Sequence, residues 1–96
     1  MPQALADRNE ALRIRANDAD TLDSRGFANL QLGQLENAII DFSAALAINP
    51  KLASSLYGRG LAKLKKGDRA GADADMAAAK ATKSDIAEQM AGFGIT

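Results

Sequence analysis

The sequence predicts an all-α fold, a solenoid of about six antiparallel helices, and three observations carry that prediction. The first is an echo at a spacing of 34 residues. Leu22, Arg25 and Gly26 return as Leu56, Arg59 and Gly60, and Ala28, Leu30 and Gly33 as Ala62, Leu64 and Gly67. Ala38 and Ala45 return as Ala72 and Ala79. A two-helix repeat of this length cannot bury its apolar face alone, so successive copies stack. The second observation is that apolar residues recur at helical spacing throughout, and no stretch alternates like a strand. The third is the punctuation: Asn17-Asp18, Gly33, Asn49-Pro50, Gly67 and Thr82-Lys83-Ser84-Asp85 leave connections of two to four residues. Links so short force neighbouring helices to lie antiparallel.

The first helix is expected from about Pro2 to Arg15, with Pro2 where its missing N–H costs little. The second runs from about Ala19 to Leu32 and stops at Gly33, which can take the left-handed conformation that ends helices. The third spans about Leu35 to Ile48; Pro50 forbids its continuation and suits the first turn of a fourth, about Lys51 to Lys66. After Gly67, Asp68 is placed to cap a fifth, about Arg69 to Lys80, whose alanines favour helix. Asp85 with Glu88 reads as a capping pair that opens a short sixth helix ending near Phe93.

Composition limits what such a fold can do. The chain is one domain of 96 residues, 47% hydrophobic but only 4% aromatic, so its core is Ala, Leu and Ile rather than the wall of a deep ligand pocket. Twelve basic and twelve acidic side chains cancel, with no basic face to neutralise phosphates, so nucleic acid and acidic membranes are set aside as partners. With neither Cys nor His, the sequence offers no disulfide, thiolate, imidazole base or zinc site, and no cofactor or metal is expected. No apolar run approaches the roughly 20 residues of a membrane span. Met1-Pro2-Gln3 does not read as a signal peptide. The expectation is a soluble protein of cytoplasm or periplasm.

The motifs that invite chemistry have plainer readings. Gly58-Arg59-Gly60 lies inside a helical pattern with no preceding strand and no following GK[ST], so packing explains it better than a phosphate loop. Asp73 and Asp75, two residues apart, are turned roughly 200° from each other on a helix and read as a solvated face rather than a carboxylate pair. Lys63, Lys65, Lys66 and Arg69 sit near a helix C-terminus, where their charge opposes the helix dipole. Nothing in the spacing of Ser54 or Ser55 with a lysine supports a nucleophile, and the chain is read as a non-enzyme.

Leu22, Gly26, Gly33, Ala38, Phe42, Ala45 and Pro50 follow an order of bulky and small residues that resembles the tetratricopeptide repeat (TPR). A second copy puts Leu56, Gly60, Gly67, Ala72, Met76 and Ala79 in the same roles, with Ser84 in place of the closing proline. In packing terms Gly26, Ala38 and Ala45 let helix axes approach, while Leu22 and Phe42 fill the gaps they leave. The register runs outward as well. Ala4, Asp7, Ala11, Leu12 and Ile14 precede Ala38, Asp41, Ala45, Leu46 and Ile48 by 34, and Met90 and Gly94 follow Leu56 and Gly60 by 34. Residues 1–16 then form a second-half helix without its first half, 19–50 and 53–84 full repeats, and 85–96 a capping helix. The resemblance implies a right-handed α-α superhelix, and the SRG and YGRG stretches resemble bacterial members.

Its implied role is a scaffold that binds a peptide or helix of a partner protein in a concave groove lined by the first helix of each repeat. By the family register the groove residues are Asp20, Asp23, Phe27, Leu30 and Gln31, then Ser54, Tyr57, Leu61 and Lys65. Phe27, Tyr57 and Leu61 suit anchoring, although Phe27 and Leu61 equally suit packing between helices, and Tyr57 wants a wet edge for its hydroxyl. Some family members place lysines, asparagines and an arginine in the groove to clamp the terminal carboxylate of chaperone tails. With Asp20 and Asp23 there, no such clamp is expected, and apolar or basic segments are the preferred ligands. The alternative is self-association, a homodimer or an exchange of helices, through the open first helix at Leu5 and Leu12. The abrupt start inside a repeat favours a piece of a longer array over a complete chain closed in that way.

Overall fold

The computed structural model describes residues 18–94. The first expected helix, with Leu5 and Leu12, lies outside the described residues. Five helices follow in chain order: α1 (Ala19–Gln31), α2 (Leu35–Ile48), α3 (Ala53–Lys65), α4 (Arg69–Thr82) and α5 (Ile86–Gly92).

Local chemistry sets their ends. Asp18 caps α1, its carboxylate accepting from the Asp20 backbone N–H at 3.0 Å and from the Thr21 hydroxyl at 3.3 Å. Thirteen-residue α1 and α3 both end in a left-handed glycine, Gly33 at φ 78° and Gly67 at φ 92°. The next residue folds back, with Gln34 N–H donating to Asn29 C=O and Asp68 N–H to Lys63 C=O. Orphan carbonyls are thereby satisfied in the same way 34 residues apart. Asp68 caps α4 as expected, accepting from the Gly71 N–H.

Two helix starts differ from the sequence reading. α3 begins at Ala53 rather than Lys51, because Asn49 Oδ1 accepts from Lys51 N–H and Leu52 N–H donates to Asn49 C=O, a tight turn that contains Pro50. Proline therefore shapes the link and is not part of the helix's first turn. The same turn recurs at Lys83–Ile86 with Ser84 in proline's place, so the ring is not essential to it. Asp85 precedes α5 but makes no side-chain cap, so the expected pairing with Glu88 does not form.

α1 packs on α2, α2 on α3, and α3 on α4. Along one side, α1 also touches α3 and α3 touches α5, whereas α2 and α4 do not meet. Two layers that differ in this way curve, with α1, α3 and α5 on the inner side. Phe42, fully buried on α2, fills the junction of α1 and α3. A Cβ at Gly26 or Gly58 would fall inside the envelope of its ring, so both must be glycine for the three helices to close. A second cluster, Leu46, Leu56, Ala79, Ile86 and Met90, joins α2 to α5.

A repeated ion pair locks each repeat. Arg25 donates to Asp41 through Nε at 3.0 Å and Nη2 at 2.8 Å, and Arg59 to Asp75 at 2.8 and 2.9 Å. Asn29 adds a donor to Asp41, and Lys63, 34 residues later, does the same for Asp75. Asp75 is thus buried and paired, which corrects its reading as a solvated acid; Asp73 is exposed. Lys63 likewise serves this pair rather than only the helix dipole, and Lys66 meets Glu36 of α2.

Candidate peptide-binding face

The inner face is built from the register of α1 and α3. Positions one and two turns apart on one side of a helix share a surface, which aligns Asp20, Asp23, Phe27 and Gln31 on α1 with Ser54, Tyr57 and Lys65 on α3. Asp20, Gln31 and Lys65 are exposed, and Asp23, Phe27, Ser54 and Tyr57 are half-buried. Leu30 and Leu61, expected on this face, are core residues at 7% and 6% exposure and support it from beneath.

Phe27 packs edge-on to Phe42, ring centroids 4.8 Å apart at 73°. Phe27 and Tyr57 both touch each of the two core clusters, so they occupy the seam where one repeat hands over to the next. The packing role of Phe27 is therefore real, and the part of its ring left uncovered is what the face can offer.

Across the same seam Asp23 Oδ1 accepts two hydrogen bonds, from Ser54 Oγ at 3.1 Å and from Ser55 Oγ at 2.6 Å. Ser55 is fully buried and was not assigned a role from sequence. The 34-residue alignment sets Ser54 and Ser55 against Asp20 and Thr21, so it carried no signal of their contact with Asp23. Burial pushes the Asp23 carboxyl above its ordinary value, the serine hydroxyls work against that rise, and the neighbouring Asp20 charge adds to it. Asp75 behaves oppositely. Burial works to raise it, but hydrogen bonds from Arg59 and Lys63 and their charges hold it below the usual carboxylate value.

Beyond Ser54 the face opens into a cavity of about 390 Å³ between the α2–α3 link and α5. Leu52, Ile86 and Met90 form its floor, and Lys51, Lys83 and Gln89 its polar edge. The sequence reading treated α5 only as a cap and did not anticipate this opening.

Curved layers, small-residue helix contacts and a 34-residue register define the class as a two-helix-repeat solenoid. A protein-family model described as TPR repeat matches residues 26–67, from the middle of α1 to the glycine after α3. Over those residues the chain is similar to the tetratricopeptide repeat, a helical module whose general role is protein–protein interaction. No curated protein and no solved structure matches the chain. Among the described residues, no helix is long and apolar enough to cross a membrane.

Proposed function

We propose that the inner face of α1, α3 and α5 receives a peptide or helix of a partner protein, with Tyr57 as its central anchor. The observation that carries this reading is the asymmetry of the layers: α1, α3 and α5 touch in series while α2 and α4 stand apart, which leaves a concave side lined by the first helix of each repeat. Tyr57 sits at its middle, half-buried at the seam, where a ring supported on two sides loses little freedom on binding. The chain acts as an adaptor, and no catalytic group is assigned. The test is Tyr57→Ala against a peptide selected for binding to the wild-type chain. Affinity is expected to fall at least about tenfold with oligomeric state unchanged; unchanged affinity would sink the assignment.

A second reading has its own observation. On α3, Gly58 and Ala62 are buried against α2, whereas their equivalents on α1, Ser24 and Ala28, are exposed. That side of α1 can be covered by residues 1–16, which hold the register of α2, or by the same segment of another copy. Self-association through Leu5 and Leu12 follows from the latter. Leu5→Asp and Leu12→Asp should then break a dimer seen by light scattering during size-exclusion chromatography, and a wild-type chain that is monomeric at every concentration would dispose of it.

A further inference from the structure

Three carboxylates of the described residues are drawn into the helix packing, and they are not compensated alike. Asp41 is held by Arg25, and Asp75 by Arg59 and Lys63. Asp23 has two serine hydroxyls and, among the described residues, no cation. Both hydroxyls bond to Oδ1, and Oδ2 accepts from no other described side chain. Neutral donors orient a carboxylate but leave its charge in place. A second negative charge, Asp20, stands one turn away and reinforces it rather than relieving it. Lys65 is eleven residues further along α3 than Ser54, about 16 Å of helix, and of the lysines at the cavity edge Lys83 pairs with Asp85 and Lys51 makes no ion pair with Asp23.

What surrounds the Asp23 charge is specific. Phe27 lies one turn beyond Asp23 on α1, and Tyr57 one turn beyond Ser54 on α3, both half-buried with part of each ring uncovered. Aromatic faces attract cations and accept the methylene stem of a long basic side chain. The combination matches one ligand chemistry: a fixed anion, bonded on one oxygen and, among the described residues, open on the other, beside two aromatic rings.

We propose that Asp23, with Phe27 and Tyr57, forms a subsite for a single lysine or arginine side chain of the bound peptide. The inference rests on the groove reading above and adds the partner's chemistry to it. The cation bonds to Oδ2, its stem lies over the rings, and the Ser54 and Ser55 hydroxyls keep the carboxylate aimed. A peptide lacking a basic residue leaves the charge partly desolvated and unpaired, which is the source of discrimination.

The test is a display selection of random twelve-residue peptides on the wild-type chain, followed by affinity measurement of one selected peptide. Three changes are compared: Asp23→Asn, Tyr57→Ala, and norleucine for the peptide's basic residue. Asn keeps an oxygen to accept from both serines, and the norleucine change leaves the protein untouched, so neither depends on a damaged fold. Expected are selected peptides that share a Lys or Arg and lose about tenfold or more in affinity on Asp23→Asn and on norleucine substitution alike. Binding that falls on Tyr57→Ala but ignores both charge changes overturns the subsite and leaves the groove standing. Peptides unaffected by any of the three, or a selection that returns no binder, overturn both.

Discussion

Single residues decide whether this chain closes. Phe42 occupies the space that Gly26 and Gly58 leave open, and a methyl group at Gly58 would overlap its ring. Alanine is the better helix former by roughly 1 kcal/mol, yet overpacking of a tight site costs about 1–3 kcal/mol. Gly58→Ala is therefore expected to lower the thermal midpoint, and a midpoint unchanged or raised would show that Phe42 can move aside. Asp23 makes the opposite case. Its folded carboxyl binds a proton more tightly than the unfolded one, so the stability linked to it is present in acid and lost as pH rises through the raised value. Asp23→Asn, neutral and still an acceptor, should be at least as stable as wild type at pH 7. That advantage should fade on acidification and vanish below the ordinary carboxylate value; thermal unfolding by circular dichroism between pH 3 and 8 checks both limbs.

Elements are held in pairs by the Arg–Asp bridge. Leu, Ala and Gly contacts bring α3 and α4 together but specify their axial register weakly, because small apolar side chains slide past each other at little cost. The bridge from Arg59 to Asp75, joined by Lys63 and by Ser43 of α2 at 3.2 Å, fixes that register with directional bonds. Here the linkage has the opposite sign to that of Asp23. The Asp75 carboxyl is held low when folded, so its contribution is present above the unfolded value and lost as pH falls through the folded one. Asp75→Asn should cost about 1–3 kcal/mol at neutral pH. Its stability should also depend less steeply on pH on the acid side, which urea titrations at several pH values would read. A variant with the wild-type acid slope would remove Asp75 from this role.

At the scale of the whole molecule, curvature creates a face that no single helix has. α1, α3 and α5 share it, and along α1 and α3 it carries Asp20 and Asp23 near one end and Lys65 at the other, with Lys51 and Lys83 at the edge of the cavity toward α5. An acidic peptide ending in a free carboxylate, of the kind chaperone tails present, meets two like charges where it would need lysines. No saturable binding of such a peptide is expected by fluorescence anisotropy, and micromolar binding would contradict the charge reading of the groove.

Fold and element order were legible from residues alone because both are local or periodic. Capping by Asp68, termination at Gly33 and Gly67, and the helical spacing of Leu, Ala and Ile depend on neighbours a few positions away. The 34-residue echo then carries the pattern from one repeat to the next. Pairings across the seam are another matter. That Asp75 is buried while Asp73 faces water, that Leu30 and Leu61 belong to the core, and that Ser55 bonds to Asp23 all depend on how far one helix is turned against another. Helical periodicity places a residue on a face; only packing between repeats decides which faces are covered and which charges meet a partner. The sequence by itself thus determined a repeating stack of paired helices. The tertiary structure decided where its inner face keeps a charge that meets no cation among the described residues, because compensation is a property of distances between helices and not of spacing along the chain.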